Sequence, residues 1–198
     1  MVSLQQQFGP IDIYLFDQLL RGNIQPGMRI LDAGCGGGRN LVYFLREGYD
    51  IYGVDADPGA IAAIREMVPS QLAGHFKAEA IQSMSFPDAF ADVVISSAVL
   101  HFAHDDKQFL AMVHEMWRVL EPGGLLFCRL ASSIGIEQRI LPVSGRRHLL
   151  PDGSERYLVD ERMLVELTRE LNGTLVDSIK TTVVQDQRSM TTWVVRKH

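Results

Sequence analysis

Four glycines fall within five positions, Gly34, Gly36, Gly37 and Gly38, directly behind a short apolar run. The stretch reads ILDAGCGGGRN over residues 30–40. Glycine lacks a Cβ, so it admits positive φ and lets backbone approach a ligand closely. A strand that runs into such a loop is the usual floor of a nucleotide site, and several cofactor classes use it.

Outward from the loop the chain alternates strand-like and helix-like stretches. IDIYLFDQLLRG (11–22) spaces its apolar side chains helically and ends on a glycine, a helix stop. MRILDAG (28–34) is an apolar strand, RNLVYFLREG (39–48) a helix, and YDIYGVD (49–55) a second strand. Asp57 and Pro58 open the next helix, an N-cap acid followed by proline at the first helical position. GHFKAEA (74–80) holds a short third strand. ADVVISS (91–97) is nearly all apolar, as expected of a strand covered on both faces of a parallel sheet. DDKQFLAMVHEMWRVL (105–120) puts Phe109, Val113, Met116, Trp117 and Leu120 on one helical face, and LLFCRLAS (125–132) is a fifth strand. Residues 132–159 read as irregular, rich in Gly, Pro and Arg. A last helix, DERMLVELTREL (160–171), precedes two β-like runs at 174–185 and 190–197, close enough for a hairpin. The alternation predicts an α/β fold with a doubly wound parallel sheet, the hairpin adding an antiparallel pair at an edge or inside it.

Three ligand classes compete for the loop. A P-loop needs Gly-Lys-Ser/Thr where this chain has Gly38-Arg39-Asn40, so a nucleoside triphosphate is disfavoured. The dinucleotide fingerprint needs a third glycine where Arg39 stands, which disfavours NAD. The third pattern, D-x-G-x-G-x-G, is met by Asp32, Gly34, Gly36 and Gly38. It suits an uncharged nucleoside with a zwitterionic tail. Asp55 ends the second strand, where a carboxylate accepts both ribose hydroxyls.

These stretches together resemble the class I S-adenosylmethionine-dependent methyltransferases, in their type-11 branch. ILDAGCGGGRN is similar to that family's first motif and YGVDADP (52–58) to its second. SFPDAFADVVISSAVLHF (85–102) is similar to the third and fourth, and WRVLEPGGLLFCRL (117–130) to the post-helix strand. The resemblance implies a Rossmann-like, seven-stranded, mostly parallel sheet with a C-terminal antiparallel hairpin. It implies one methyltransferase domain over residues 1–198. Residues 1–27 form an N-terminal helical segment, 28–130 the cofactor half, 131–159 a substrate lid, and 160–198 the last helix and hairpin. The cofactor implied is S-adenosylmethionine, with S-adenosylhomocysteine as product and no metal. Carried onto this chain, the cofactor contacts are Asp32, Gly34, Gly36, Arg39, Asp55, Ala56, Ala80, Ile81, Ser96 and Ser97. The adenine-facing acid of the family falls on Ala80, and Glu79 serves only if the loop shifts by one. Ser96 and Ser97 would offer carbonyls to the methionine ammonium.

The acceptor is less constrained, because a sulfonium already makes its methyl electrophilic and alignment does most of the work. Strand four continues into SSAVLHF, not the Asn/Asp-Pro-Pro-aromatic run of amino-methylating nucleic-acid enzymes. No cysteine stands where a pyrimidine C5 methyltransferase needs one. The net charge of −5 and a pI near 5.6 weigh against nucleic acid as partner. A small-molecule acceptor follows, with RNA or protein methylation and cofactor binding without catalysis as alternatives. The GRN ending of the loop is loosely similar to tellurite- and thiopurine-type enzymes. His101 is the candidate general base, against the reading of a packed histidine. Tyr14 and Phe102, with Arg146, Arg147 and His148 of RILPVSGRRHLLPDGSERY (139–157), are candidate acceptor contacts, the arginines for an oxyanion or carboxylate. A solvated basic loop is the competing reading.

Cys35 and Cys128 have neither metal-ligand spacing nor partners for a disulfide framework. With 46% hydrophobic residues and a mean hydropathy of +0.04, the chain reads as globular, and it has no apolar run of transmembrane length. Its first residues lack a secretory pattern, so no membrane contact and a cytoplasmic location are expected, as monomer or homodimer.

Overall fold

A computed structural model describes residues 3–198. Met1 and Val2, at the start of the segment assigned to 1–27, lie outside the described residues. The centre of the molecule is β1 (Arg29–Ala33), which pairs in parallel with β2 (Asp50–Asp55) on one side and β4 (Ala91–Ser97) on the other. Leu31 sits opposite both Tyr52 and Val94. β3 (Phe76–Ala78) extends one wing beyond β2. On the other wing β5 (Leu120–Ala131) pairs with β4, and the antiparallel β11 (Arg188–Lys197) lies between β5 and the edge strand β10 (Lys180–Val184). The path is β10-β11-β5-β4-β1-β2-β3, seven strands, with the three-residue β9 (Gly173–Leu175) also pairing β11.

Both faces of this sheet are covered, which explains why its strands read as unbroken apolar runs. Ile30, Val93, Ile95 and Phe127 point to one layer, packed under Leu15, Phe44 and Ile64. These come from the helices α2 (Ile13–Leu20), α3 (Val42–Arg46) and α4 (Pro58–Met67). Leu31, Val94, Leu126 and Trp193 point the other way, against Phe109 and Val113 of α5 (Asp106–Val119) and Leu164 and Leu167 of α6 (Glu161–Glu170). A short α1 (Leu4–Phe8) leads the described chain. Four helices start on an aspartate whose carboxylate accepts a backbone N–H of the first turn. These are Asp12, Asp57, Asp105 and Asp160, at 2.7–3.0 Å. Cys35 and Cys128 are both buried, and burial pushes both thiols up.

Three local expectations change. The helix expected over 39–48 shortens to five residues. Gly38 sits at φ +76, and Asn40 instead accepts the N–H of Asp12. The run 174–185 splits into β9 and β10 around Asp177, which turns inward to hold Gln18 and Arg21. The segment 132–159 is not irregular throughout. It contains an antiparallel sheet of β6 (Leu141–Ser144), β7 (Arg147–Leu149) and β8 (Glu155–Tyr157).

Candidate functional site

The C-terminal ends of β1, β2 and β4 open into a cavity of about 650 Å³, within the range of small-molecule sites. Its floor is the glycine loop. The N–H groups of Gly34 and Cys35 both donate to the Val54 carbonyl, at 2.8 and 2.9 Å, which ties the loop to β2. Asp55 then holds the turn from the other side. One carboxylate oxygen accepts from Gly36 N and the other from Asp57 N, both at 2.9 Å. A Cβ at Gly36 would meet nothing within 4 Å, so this backbone faces open space.

Gly34, Gly36, Arg39, Asp55 and Ala56 line this cavity, as do Ala80, Ile81, Ser97 and Phe102. Asp32 does not. It is 1% exposed, makes no bond to the loop, and its Oδ1 has no partner among the described residues. Burial pushes its carboxyl up to about 7, with Arg39 pulling it down and Asp55 adding to the rise. Ser96 is likewise buried behind the wall with an unpartnered Oγ, and Ala98 and Val99 take its place. Ala98 adopts φ +66 and is held there by its N–H donating to the Arg129 carbonyl at 2.7 Å. That conformation costs an L-residue about 1–2 kcal/mol, and strain of this kind gathers at functional sites. Glu79 does not line the cavity, and its carboxylate accepts from Ser85 N at 2.8 Å. Beside Ala80 and Ile81 the cavity wall carries Gln82, a polar side chain with no motif in the sequence to mark it.

A second cavity, about 470 Å³, shares Arg39 and Ala98 with the first. His101 lies in its wall, 6% exposed. Its Nδ1 accepts the Ala131 N–H at 3.3 Å, and burial together with Arg156 lowers its pKa to about 4. The ring is therefore neutral with its proton on Nε2. Its lone pair is engaged, so it is a donor and not the expected base. Tyr14 reaches neither cavity. Its hydroxyl bonds Thr182 at 2.7 Å, and its ring lies under the Arg129 guanidinium at 4.7 Å. Arg146, Arg147 and His148 also miss both. Arg146 pairs with Asp160, Arg147 with Glu155 and the Ala103 carbonyl, and His148 bonds the Arg146 carbonyl. Arg156, from the same segment, does reach the second cavity, with Arg129 and Arg188. Arg129 carried a readable signal, a charge interrupting the apolar run LLFCRL. Among the described residues no group of three His, Cys, Asp or Glu side chains is placed to hold a metal ion.

Residues 31–128 match the sequence profile of a family described as "Methyltransferase domain". Over those residues, about half of its length, the chain belongs to that methyltransferase-domain family. It is similar to a malonyl-[acyl-carrier protein] O-methyltransferase of Serratia marcescens, 34% identical over 133 residues, which cover 65% of this chain and 49% of the relative. Among solved structures it shares its fold with a SAM-dependent methyltransferase of Methanosarcina mazei. That match has a TM-score of 0.74 at 22% identity and covers 90% and 96% of the two chains. It also shares the fold of the Burkholderia thailandensis 1,6-didemethyltoxoflavin-N1-methyltransferase solved with S-adenosylhomocysteine. There the TM-score is 0.67 at 23% identity, with 90% and 75% covered. The chain spans about half the length of the curated relatives it matches. No helix among the described residues is long and apolar enough to cross a membrane.

Proposed function

We propose that this methyltransferase chain binds S-adenosylmethionine in the larger cavity and methylates a small molecule held in the smaller one. The observation that carries the reading is the Asp55 carboxylate at the mouth of a glycine loop whose backbone faces open space. The residues fit the cofactor's chemistry. Gly34 and Gly36 offer backbone to its amino-acid part, and Asp55 has lone pairs left for ribose hydroxyls. Ile81 and Gln82 offer an apolar face and an amide to the adenine. Ala98, strained at φ +66, lines both cavities where they meet. When bound, the cofactor supplies an electrophilic methyl group on a sulfonium. The chain's own part is to orient a nucleophile beside it and exclude water, which contributes up to about 10 kcal/mol.

Calorimetric titration with S-adenosylhomocysteine tests the assignment. The wild-type protein is expected to bind at micromolar concentration. Asp55→Ala removes a charged hydrogen-bond acceptor and is expected to weaken binding at least about 10-fold. Unchanged affinity in a folded Asp55→Ala protein sinks the site. A screen for S-adenosylhomocysteine release over carboxylates, thiols, phenols and amines tests turnover, and no release from any of them favours a binding protein instead.

A further inference from the structure

We propose that the smaller cavity selects its acceptor by a carboxylate attached to an apolar body. The inference rests on the methyltransferase reading and specifies its acceptor class. Four guanidiniums line the cavity, those of Arg39, Arg129, Arg156 and Arg188. Two carboxylates face them. Asp12 is 8% exposed, is spent on Arg129 at 3.3 Å and caps α2. Asp152 accepts from both N and Oγ of Ser154, at 2.9 and 2.6 Å, on the exposed rim. Among the described residues, Arg39, Arg156 and Arg188 have no carboxylate within ion-pair distance. Arg39 donates to the neutral Ser97 hydroxyl at 2.9 Å. Arg156 donates to the Glu155 carbonyl and lies over the Phe102 ring at 4.9 Å. In a chain of net charge −5, this concave surface holds more positive than negative charge. Guanidiniums held by neutral partners keep donors free for an oxyanion.

The remaining polar chemistry points the same way. His101, with Nδ1 engaged by Ala131 N–H, presents Nε2–H as another donor. Asp12 has both carboxylate oxygens engaged and Asp152 lies out on the exposed rim with Oδ1 on Ser154, so the buried part of the wall holds no free base. A cavity of donors without a base suits a group that arrives already ionised. Ile11, Ile13, Leu150, Val184 and Met190 supply the apolar part of the wall. They come from the N-terminal segment, the loop between β7 and β8, and the β10–β11 hairpin, so the carboxylate's carbon body would be enclosed from three sides. The shared wall of Arg39 and Ala98 puts this anion site next to the methyl-donor cavity.

The test titrates butyrate, octanoate and benzoate, each beside its primary amide, into the protein with and without S-adenosylhomocysteine. At least one carboxylate is expected to bind, with its amide at least about 10-fold weaker. Arg156→Gln and Arg188→Gln are each expected to weaken that carboxylate by about 10-fold, the loss of one charged hydrogen bond. Arg162→Gln, which removes an equal charge from the exposed face of α6, is expected to have no effect. The acceptor assignment is overturned if no carboxylate binds in either form. It is equally overturned if the amides bind as well, or if the Arg156 and Arg188 variants bind undiminished. Failure of S-adenosylhomocysteine to bind overturns the donor reading instead, and the carboxylate arm on the free protein still decides the charge of the cavity.

Discussion

Gly34 and Gly36 both take positive φ, at +94° and +49°, yet a side chain would harm the protein differently at each. A Cβ on Gly34 would lie 2.4 Å from Val99 Cγ2, inside the wall of the cavity. Left-handed backbone costs about 1–2 kcal/mol and overpacking about 1–3, so Gly34→Ala is expected to lower the unfolding free energy by roughly 2–5 kcal/mol. Gly36→Ala meets no neighbour and pays only about 1–2 kcal/mol for its left-handed backbone. It is expected to stay folded and lose at least 10-fold in S-adenosylhomocysteine affinity. Urea unfolding beside calorimetry separates the two. A Gly36→Ala protein that binds as tightly as wild type shows that the loop cradles nothing. At this scale the pattern D-x-G-x-G-x-G led to the cavity floor, because backbone freedom is written in the glycines themselves. It did not show that Asp32 is buried with an unpartnered oxygen or that Arg146, Arg147 and His148 are engaged elsewhere. Those outcomes depend on Asp160, Glu155 and Ala103, partners brought in by the fold.

Among the elements, legibility followed burial. β4 is covered on both faces, so ADVVISS could hardly be anything but a central strand. The sheet β6–β7–β8 was invisible because its strands have three or four residues and Leu141–Ser144 is exposed throughout, leaving no alternation to read. What holds that sheet is a distant anchor. The Tyr157 ring stacks on Phe109 of α5 at 4.8 Å, and its hydroxyl donates to Asp106 at 2.9 Å. Tyr157→Phe keeps the ring and is expected to cost about 1–3 kcal/mol, the range for a bond to a charged group. Tyr157→Ala removes a fully buried aromatic and is expected to cost about 3–5 kcal/mol. Limited proteolysis is expected to cut within residues 141–157 of the alanine variant and spare the phenylalanine one. Equal protection of both would mean that the sheet is held by something other than this ring. Because Arg156 belongs to β8, loosening the anchor is also expected to weaken carboxylate binding.

For the molecule as a whole, acid titration pits two buried groups of the candidate site against each other. His101 is lowered to about 4, so between about pH 6.5 and 4 the unfolded chain takes up a proton that the folded chain refuses. This contribution to stability is full above pH 6.5 and is lost as pH falls through that window. Asp32 is raised to about 7, so between about pH 4 and 7 the folded chain keeps a proton that the unfolded chain has released. Its contribution runs the other way, favouring the fold at low pH and fading as pH rises. Each shift corresponds to about 3–4 kcal/mol over nearly the same window, so the two largely offset each other in the wild-type profile. Removing either one exposes its opponent. Asp32→Asn is expected to make the unfolding free energy climb more steeply with pH between about 4 and 7. His101→Gln, which keeps an acceptor for Ala131 N–H, is expected to flatten or reverse the climb. Urea unfolding followed by circular dichroism at pH 4.5, 5.5, 6.5 and 7.5 measures both slopes. Wild-type slopes in both variants would mean that neither group is buried in the form described. A steeper slope in the histidine variant would mean that His101 is charged in the fold, which would return it to contention as a proton-transfer group.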